Sequence, residues 1–183
     1  MRLLSGGLLL VGLALLGTGS RSVGADDFKP EAGFTLLFNG KDLTGWKTKK
    51  GGEALDKKAE AYDKRFAVVD EKLVIDPKVK GDVTIETAKQ FKDVHIKFEY
   101  LPGKGCNNDL FIRGQKFDIT PKGVKNLKEG EWNQFEIIIA GDKAEFKNNG
   151  ESQRTAKPGE AATSFGIRAE FGEITFRRMR YKE

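Results

Sequence analysis

The octapeptide DVHIKFEY, Asp93 to Tyr100, alternates so strictly that it dictates a sheet. With a side-chain period of two, Val94, Ile96, Phe98 and Tyr100 fall on one side of an extended chain, and Asp93, His95, Lys97 and Glu99 fall on the other. A helix would scatter the same residues around its circumference, so the segment reads as a strand with one dry and one wet face. Short β-branched and aromatic runs of the same kind recur along the chain between turn-forming clusters, among them "GFTLLF", "FAVVDEKLVID", "DVTIET", "NDLFIR", "KFDIT" and "WNQFEIIIAG". "FEIIIAGDKAEFKNNGE" reads as two strands joined at Gly141-Asp142, with Asn149-Gly150 as a second hairpin signal. "SFGIRAEFGEITFRRMR" repeats the plan with a turn near Gly172. Only residues 51–65, "GGEALDKKAEAYDKR", break the pattern, as a short helix or a charged surface loop. So many antiparallel signals in one chain predict an all-β sandwich or jelly roll.

The N-terminus has a basic start at Arg2, an apolar run from Leu8 to Leu16, and small residues up to Ala25. That order predicts a secretory signal peptide over residues 1–25, and hence a secreted or periplasmic protein. Glycines interrupt the run, and it is shorter than the roughly 18 residues of a membrane span, so no stable membrane anchor is expected after cleavage. Residues 26–183 suit one domain of about 100 to 200 residues. Losing Arg2 and Arg21 lowers the formal charge from +5 to +3, and the remaining lysines are interspersed with acids. This mixture reads as a solvated surface and gives no nucleic-acid stripe. Cys106, the one cysteine, cannot form an intramolecular disulfide and reads as a small buried residue.

No Gly-rich phosphate loop, paired-histidine metal helix or Gly-x-Ser-x-Gly elbow occurs, and with His95 the sole histidine any two-histidine mechanism is excluded. Carboxylate chemistry remains open, and "NNDLFIRGQKFDIT" carries the candidates. Leu110 and Ile112 would face the core, leaving Asp109, Phe111 and Arg113 outside. A bulge at Gly114-Gln115 would then slip the phase by one residue, so that Phe117 and Ile119 point inward and Lys116, Asp118 and Thr120 join the outer set. His95 and Glu99, on the wet face of the preceding strand, are expected to extend this surface. Two carboxylates, two cations and a ring on one face suit a sugar, whose ring stacks on aromatics and whose hydroxyls take directional hydrogen bonds. The alternative reading is a solvated strand decorated with weak ion pairs. His95 reads either as a proton acceptor or as a simply exposed residue. Trp46 and Trp132 read as core anchors, and Arg177 and Arg178 as surface or sheet-edge charges.

"GFTLLFNGKDLTGWK", "NDLFIRG", "GEWNQFEIIIAGDKAEFKNNGE" and "FGIRAEFGEITFRRMRYK", in that order, resemble the 3-keto-disaccharide hydrolase domain family across nearly the whole chain after residue 25. The resemblance implies a concanavalin A-like lectin/glucanase sandwich of two antiparallel sheets, bacterial export and a carbohydrate ligand. It implies cleavage of glycosides already oxidised to a ketone at carbon 3, by removal of the carbon 2 proton, expulsion of the glycosidic oxygen and addition of water. Asp118, Asp109, Glu99 and His95 are then the candidate bases. Arg113 and Lys116 would hold the keto oxygen, and Asn107, Asn108 and Phe111 would contact the sugar. Lys116 and Asp118 stand where the family carries Glu and Gln, so a non-catalytic carbohydrate-binding or cell-envelope interaction domain is the second expectation. No cofactor is required by the sequence. A divalent metal among Asp109, Asp118 and Glu99 is conceivable without support from any ligand spacing.

Overall fold

A computed structural model describes residues 28–183, so the expected signal peptide lies outside the described residues. In chain order the strands are β1 (Thr35–Leu36), β2 (Trp46–Thr48), β3 (Glu60–Ala61), β4 (Phe66–Val69), β5 (Lys72–Ile75), β6 (Val83–Phe91) and β7 (Val94–Pro102). They continue as β8 (Asn107–Ile112), β9 (Gln115–Ile119), β10 (Asn133–Ala140), β11 (Lys143–Asn148), β12 (Glu151–Ala156), β13 (Thr163–Phe171) and β14 (Ile174–Lys182). One sheet runs β12-β11-β10-β7-β14-β5-β4-β3 with β1 added against β14, and the other runs β2-β6-β13-β8-β9. Every pairing is antiparallel. Among the described residues there is no helix, and residues 51–65 form turns around β3.

The alternation of β7 is realised as expected. Val94, Ile96, Phe98 and Tyr100 are buried between the sheets. Phe98 stacks on Phe135 of β10 at 5.4 Å and meets Phe176 of β14 at 5.6 Å and, from the opposite sheet, Phe165 at 6.3 Å. Phe117 of β9 packs on Phe146 of β11 at 5.1 Å, so aromatic rings bridge the sandwich at two places. Trp46 is buried beside Phe165, as predicted for a core anchor. Trp132 is not one, since it lies only half-buried with the Arg177 guanidinium 3.8 Å above its ring. The Cys106 thiol is buried, and burial raises its pKa to about 11, which leaves it unreactive as expected.

Two expectations about hairpins are corrected. "FAVVDEKLVID" is two strands, because Asp70 and Glu71 both take positive φ (47° and 62°) and Val69 pairs with Lys72. "NDLFIRGQKFDIT" holds no bulge: Arg113 (φ 45°) and Gly114 (φ 72°) make a two-residue turn, and Ile112 pairs with Gln115. Glycine relieves the second position of this turn, whereas Arg113 is held at the first by its contacts.

The outer face of the nine-stranded sheet is crossed by the chain's own N-terminal segment. Arg180 forks onto Glu31 (Nε to Oε2 2.5 Å, Nη2 to Oε1 2.6 Å), and this hydrogen-bonded pairing lowers the Glu31 pKa to about 2. Phe28 lies against the Arg178 and Arg180 guanidinium groups, and Phe34 against Lys97 and Lys182.

Arg113 is buried, contrary to its expected place on the polar face. Its Nε donates to the Gly159 carbonyl at 2.8 Å and its Nη1 to the Lys92 carbonyl at 2.8 Å, while its amide donates to Thr163 Oγ1 at 2.6 Å. The side chain therefore ties the β8–β9 turn to the β6–β7 and β12–β13 connections. Replacing Arg113 with Ala should cost about 3 kcal/mol, the scale of two enclosed carbonyls losing their donors, and Lys should restore little because it lacks the planar fork. Urea unfolding measures this, and an unchanged midpoint accompanied by lost sugar binding would return Arg113 to the ligand face.

Candidate functional site

Strand register on the five-stranded sheet aligns side chains in rows across its outer face. One row reads Lys47, Glu86, Gly166, Phe111, Lys116, and the next, two residues along each strand, reads Thr84, Arg168, Asp109, Asp118. Directly paired antiparallel residues share a face, so these nine positions form one surface. Gly166 carries no side chain between Glu86 and Phe111, and Lys49 Nζ lies 4.7 Å from the centre of the Phe111 ring.

Asp109 and Asp118 are directly paired and face each other across β8 and β9. The Asp109 side chain is 0% exposed and that of Asp118 is 51% exposed. Lys116 Nζ bridges them, 2.6 Å from Asp118 Oδ1 and 3.4 Å from Asp109 Oδ2. Arg168 approaches from β13, with Nη1 3.0 Å from Asp109 Oδ2, Nε 2.8 Å from Asp82 and Nη2 2.7 Å from Glu170. Despite these charges, neither Asp109 oxygen receives an aligned hydrogen bond. Burial without such a bond disfavours the charged form of Asp109.

The electrostatics agree. Burial pushes the Asp109 pKa up, and the hydrogen bond and negative charge of Asp118 push it further, to about 7, against the pull of Arg168 and Lys116. Asp118 moves the other way: burial opposes its ionisation, but hydrogen bonds from Asp109 and Lys116 hold its carboxyl below the ordinary value. The two carboxyls thus form a pair that holds one proton under mildly acid conditions and releases it near neutrality.

The remaining sequence candidates divide. Asn107 lies on this face, its Oδ1 buried without a hydrogen-bond partner. Asn108 points inward, with Nδ2 donating to the Phe171 carbonyl at 3.1 Å and Oδ1 accepting from the Glu170 amide at 3.1 Å, so it clamps the irregular β8–β13 pairing instead of meeting a ligand. Glu99 and His95 do not extend the surface, because β7 belongs to the other sheet. Glu99 is held by Arg177 Nε at 2.7 Å and Arg178 Nη1 at 2.9 Å. His95 Nε2 lies 2.8 Å from Glu136, and burial lowers its pKa more than Glu136 raises it. It lines an open depression of about 350 Å³ with Asp93, Ile138 and Lys182. With Glu99 elsewhere, the imagined metal trio is not assembled. Among the described residues no group of three or more His, Cys, Asp or Glu side chains is placed to hold a metal ion. Arg168, Glu170 and Asp82 were missed from sequence. The alternation of Arg168 and Glu170 in "GIRAEF" was visible, but the pairing of β13 with β8 was not.

Two antiparallel sheets in this order, one with an open face of amides, charges and an aromatic ring, define a concanavalin A-like jelly roll. The sequence profile of the 3-keto-alpha-glucoside-1,2-lyase-like domain matches residues 33–126, more than half of the chain, and the chain belongs to that family. No curated protein matches it. Its fold is shared with a candidate glycosyl hydrolase from Parabacteroides distasonis, at 18% identity over 82% of this chain and 93% of the other, with a TM-score of 0.64. The carbohydrate-binding module CBM66 from Bacillus subtilis superposes with a TM-score of 0.58 at 12% identity, covering 81% of this chain and all 100% of its own. The β-glucanase of Bacillus licheniformis does so with a TM-score of 0.54 at 8% identity, covering 84% and 100%.

Linkage makes the proton on Asp109 measurable. Its pKa rises from an ordinary 3.8 to about 7 on folding, so between those values the folded state binds more protons than the unfolded. Stability from this group is full below 3.8 and is lost as pH rises through about 7. An Asp109→Asn variant should match the wild type in melting temperature near pH 4 and exceed it above pH 7. Parallel melting curves across that range would contradict the assignment.

Proposed function

We propose that this domain is a secreted enzyme that cleaves 3-keto-glycosides by elimination and hydration, with the Asp109–Asp118 pair as its base. The observation that carries the proposal is a directly paired couple of carboxyls, one member buried and one open to solvent, with two cations beside them on the open sheet face. One ammonium bridging both carboxyls departs from the open arrangement used in the two-carboxylate hydrolysis of ordinary glycosides. That chemistry separates its carboxyls by about 5 to 5.5 Å when retaining and by about 6.5 to 9.5 Å when inverting. A ketone at carbon 3 removes the need for that arrangement, because it makes the carbon 2 proton acidic enough for a single base. The family description, a 1,2-lyase acting on 3-keto-α-glucosides, fits this chemistry.

With the pair fully ionised, Asp118 takes the carbon 2 proton, and the C–H electrons move into an enolate whose oxygen faces Arg168 and Lys116. Collapse of the enolate forms a C1–C2 double bond and breaks the C1–O bond. The departing oxygen takes the proton now held by the pair, and water adds at C1 of the enone to give the free 3-keto sugar. The pair's upper value near 7 matches the demand for a base that is ionised yet still basic at neutral pH. Export, expected from residues 1–25, would place the domain where extracellular glycans are met.

A second reading, carbohydrate binding without turnover, is favoured by one contact. Lys116 sits 2.6 Å from Asp118 and lowers the basicity of the group that must take the proton.

Release of free sugar from a panel of 3-keto-disaccharides separates the two. The rate should climb as pH rises through about 7. Asp118→Asn should lower it about 10²- to 10⁴-fold while leaving substrate binding within a few-fold. Folded wild type that binds these sugars at every pH and releases nothing would establish the binding reading instead.

A further inference from the structure

Among the described residues Phe171 is 64% exposed, more than the other large exposed apolar side chains Leu36 (43%) and Val69 (50%). An exposed phenylalanine alone means little. This one is paired with Asn107 just past a register shift from Arg168, and its exposure places its side chain on the ligand face beside Asn107, one row beyond Asp109. Beside it stands Asn107, a half-buried amide whose Oδ1 has no hydrogen-bond partner, so that a rotation of the side chain would turn its donor and acceptor to a ligand hydroxyl.

The backbone under Phe171 is also fixed. Asn108 bonds the Phe171 carbonyl and the Glu170 amide, each at 3.1 Å. Gly172 follows at φ 76°, so close to Cys106 that a Cβ there would lie 2.8 Å from the Cys106 Cα. The ring is therefore presented on a rigid support, as a stacking platform needs.

Along β8 the order of rows is Phe111, then Asp109 with Asp118, then Asn107 with Phe171. The outer rows are four residues apart, about 13 Å, with the carboxyl pair midway. Two linked pyranose rings centred on the pair do not reach both aromatic rings.

We propose that the face binds a linear oligosaccharide of three or more units running along β8, with Phe171 and Asn107 forming a second stacking subsite across the carboxyl pair from Phe111. This rests on the carbohydrate reading of the same face and adds the length of its ligand.

The test is calorimetric binding of unoxidised gluco-oligosaccharides of two to five units, with α-1,4, β-1,4 and β-1,3 linkages, which bind without being cleaved for want of a carbon 3 ketone. With the preferred linkage, wild type should bind the trisaccharide roughly three- to tenfold more tightly than the disaccharide, the scale of one stacked ring. Phe171→Ala should abolish that gain and leave disaccharide affinity unchanged, whereas Phe171→Tyr should keep it. Equal affinity for two and three units, alongside normal 3-keto-disaccharide cleavage, would overturn the second subsite and leave the proposed function standing. Absence of binding at every length and linkage, with no cleavage of 3-keto-disaccharides, would overturn both.

Discussion

The two-residue turn at Arg113-Gly114 sets the register in which Asp109 stands directly opposite Asp118. Two like charges at paired positions of a sheet repel, and burying one of them makes its ionisation costlier still. The surrounding residues answer that constraint. Lys116 reaches back over the pair, Arg168 approaches from β13, and burial raises the pKa of the enclosed carboxyl. Arg113 spends its own hydrogen bonds holding the turn against neighbouring connections. Stability on this face thus depends on the ordinary scaffold around it, the aromatic layer from Phe98 to Phe117, which tolerates a locally unfavourable arrangement outside.

That arrangement suits a base better than a passive surface does. A solvated ion pair would show two ordinary carboxylates, each with a cation. Here the two have moved apart in acidity, because one is buried and the other is bonded by its neighbours. Groups pushed apart in this way divide acid and base roles between them. The opposite face of the sandwich has charges as well, but there Glu31 and Arg180 fasten the N-terminal segment and Glu99 neutralises Arg177 and Arg178. Its charges serve packing, whereas those around Asp109 lie beside an open sheet.

The sandwich was legible because alternation reports burial directly: each inward residue of β7 is where its period of two puts it. Asp109, Phe111, Lys116 and Asp118 were legible as one face for the same reason. The route was misread, since a glycine after Phe-Ile-Arg suits a bulge or a turn equally, and only pairing partners decide. Arg113 fell out of the site because turn residues leave the alternation altogether. Glu99 and His95 were misplaced because nothing in "PGKGC" says that the chain changes sheets between β7 and β8. Asn108 looked like a ligand contact, yet its amide completes a backbone irregularity by bonding residues 62 and 63 positions further along the chain, which no local pattern encodes. Arg168 and Phe171 escaped for the same long-range reason.

The most direct test of the shared proton is a carbon-13 NMR titration of the aspartate carboxyl groups, with Asp109 and Asp118 assigned from the Asp109→Asn and Asp118→Asn spectra. The account predicts that Asp109 titrates near pH 7, with a smaller simultaneous shift at Asp118, and that Asp118 itself titrates below the ordinary range. Two independent titrations near 4 would contradict it, leaving an ion-paired surface with no poised base.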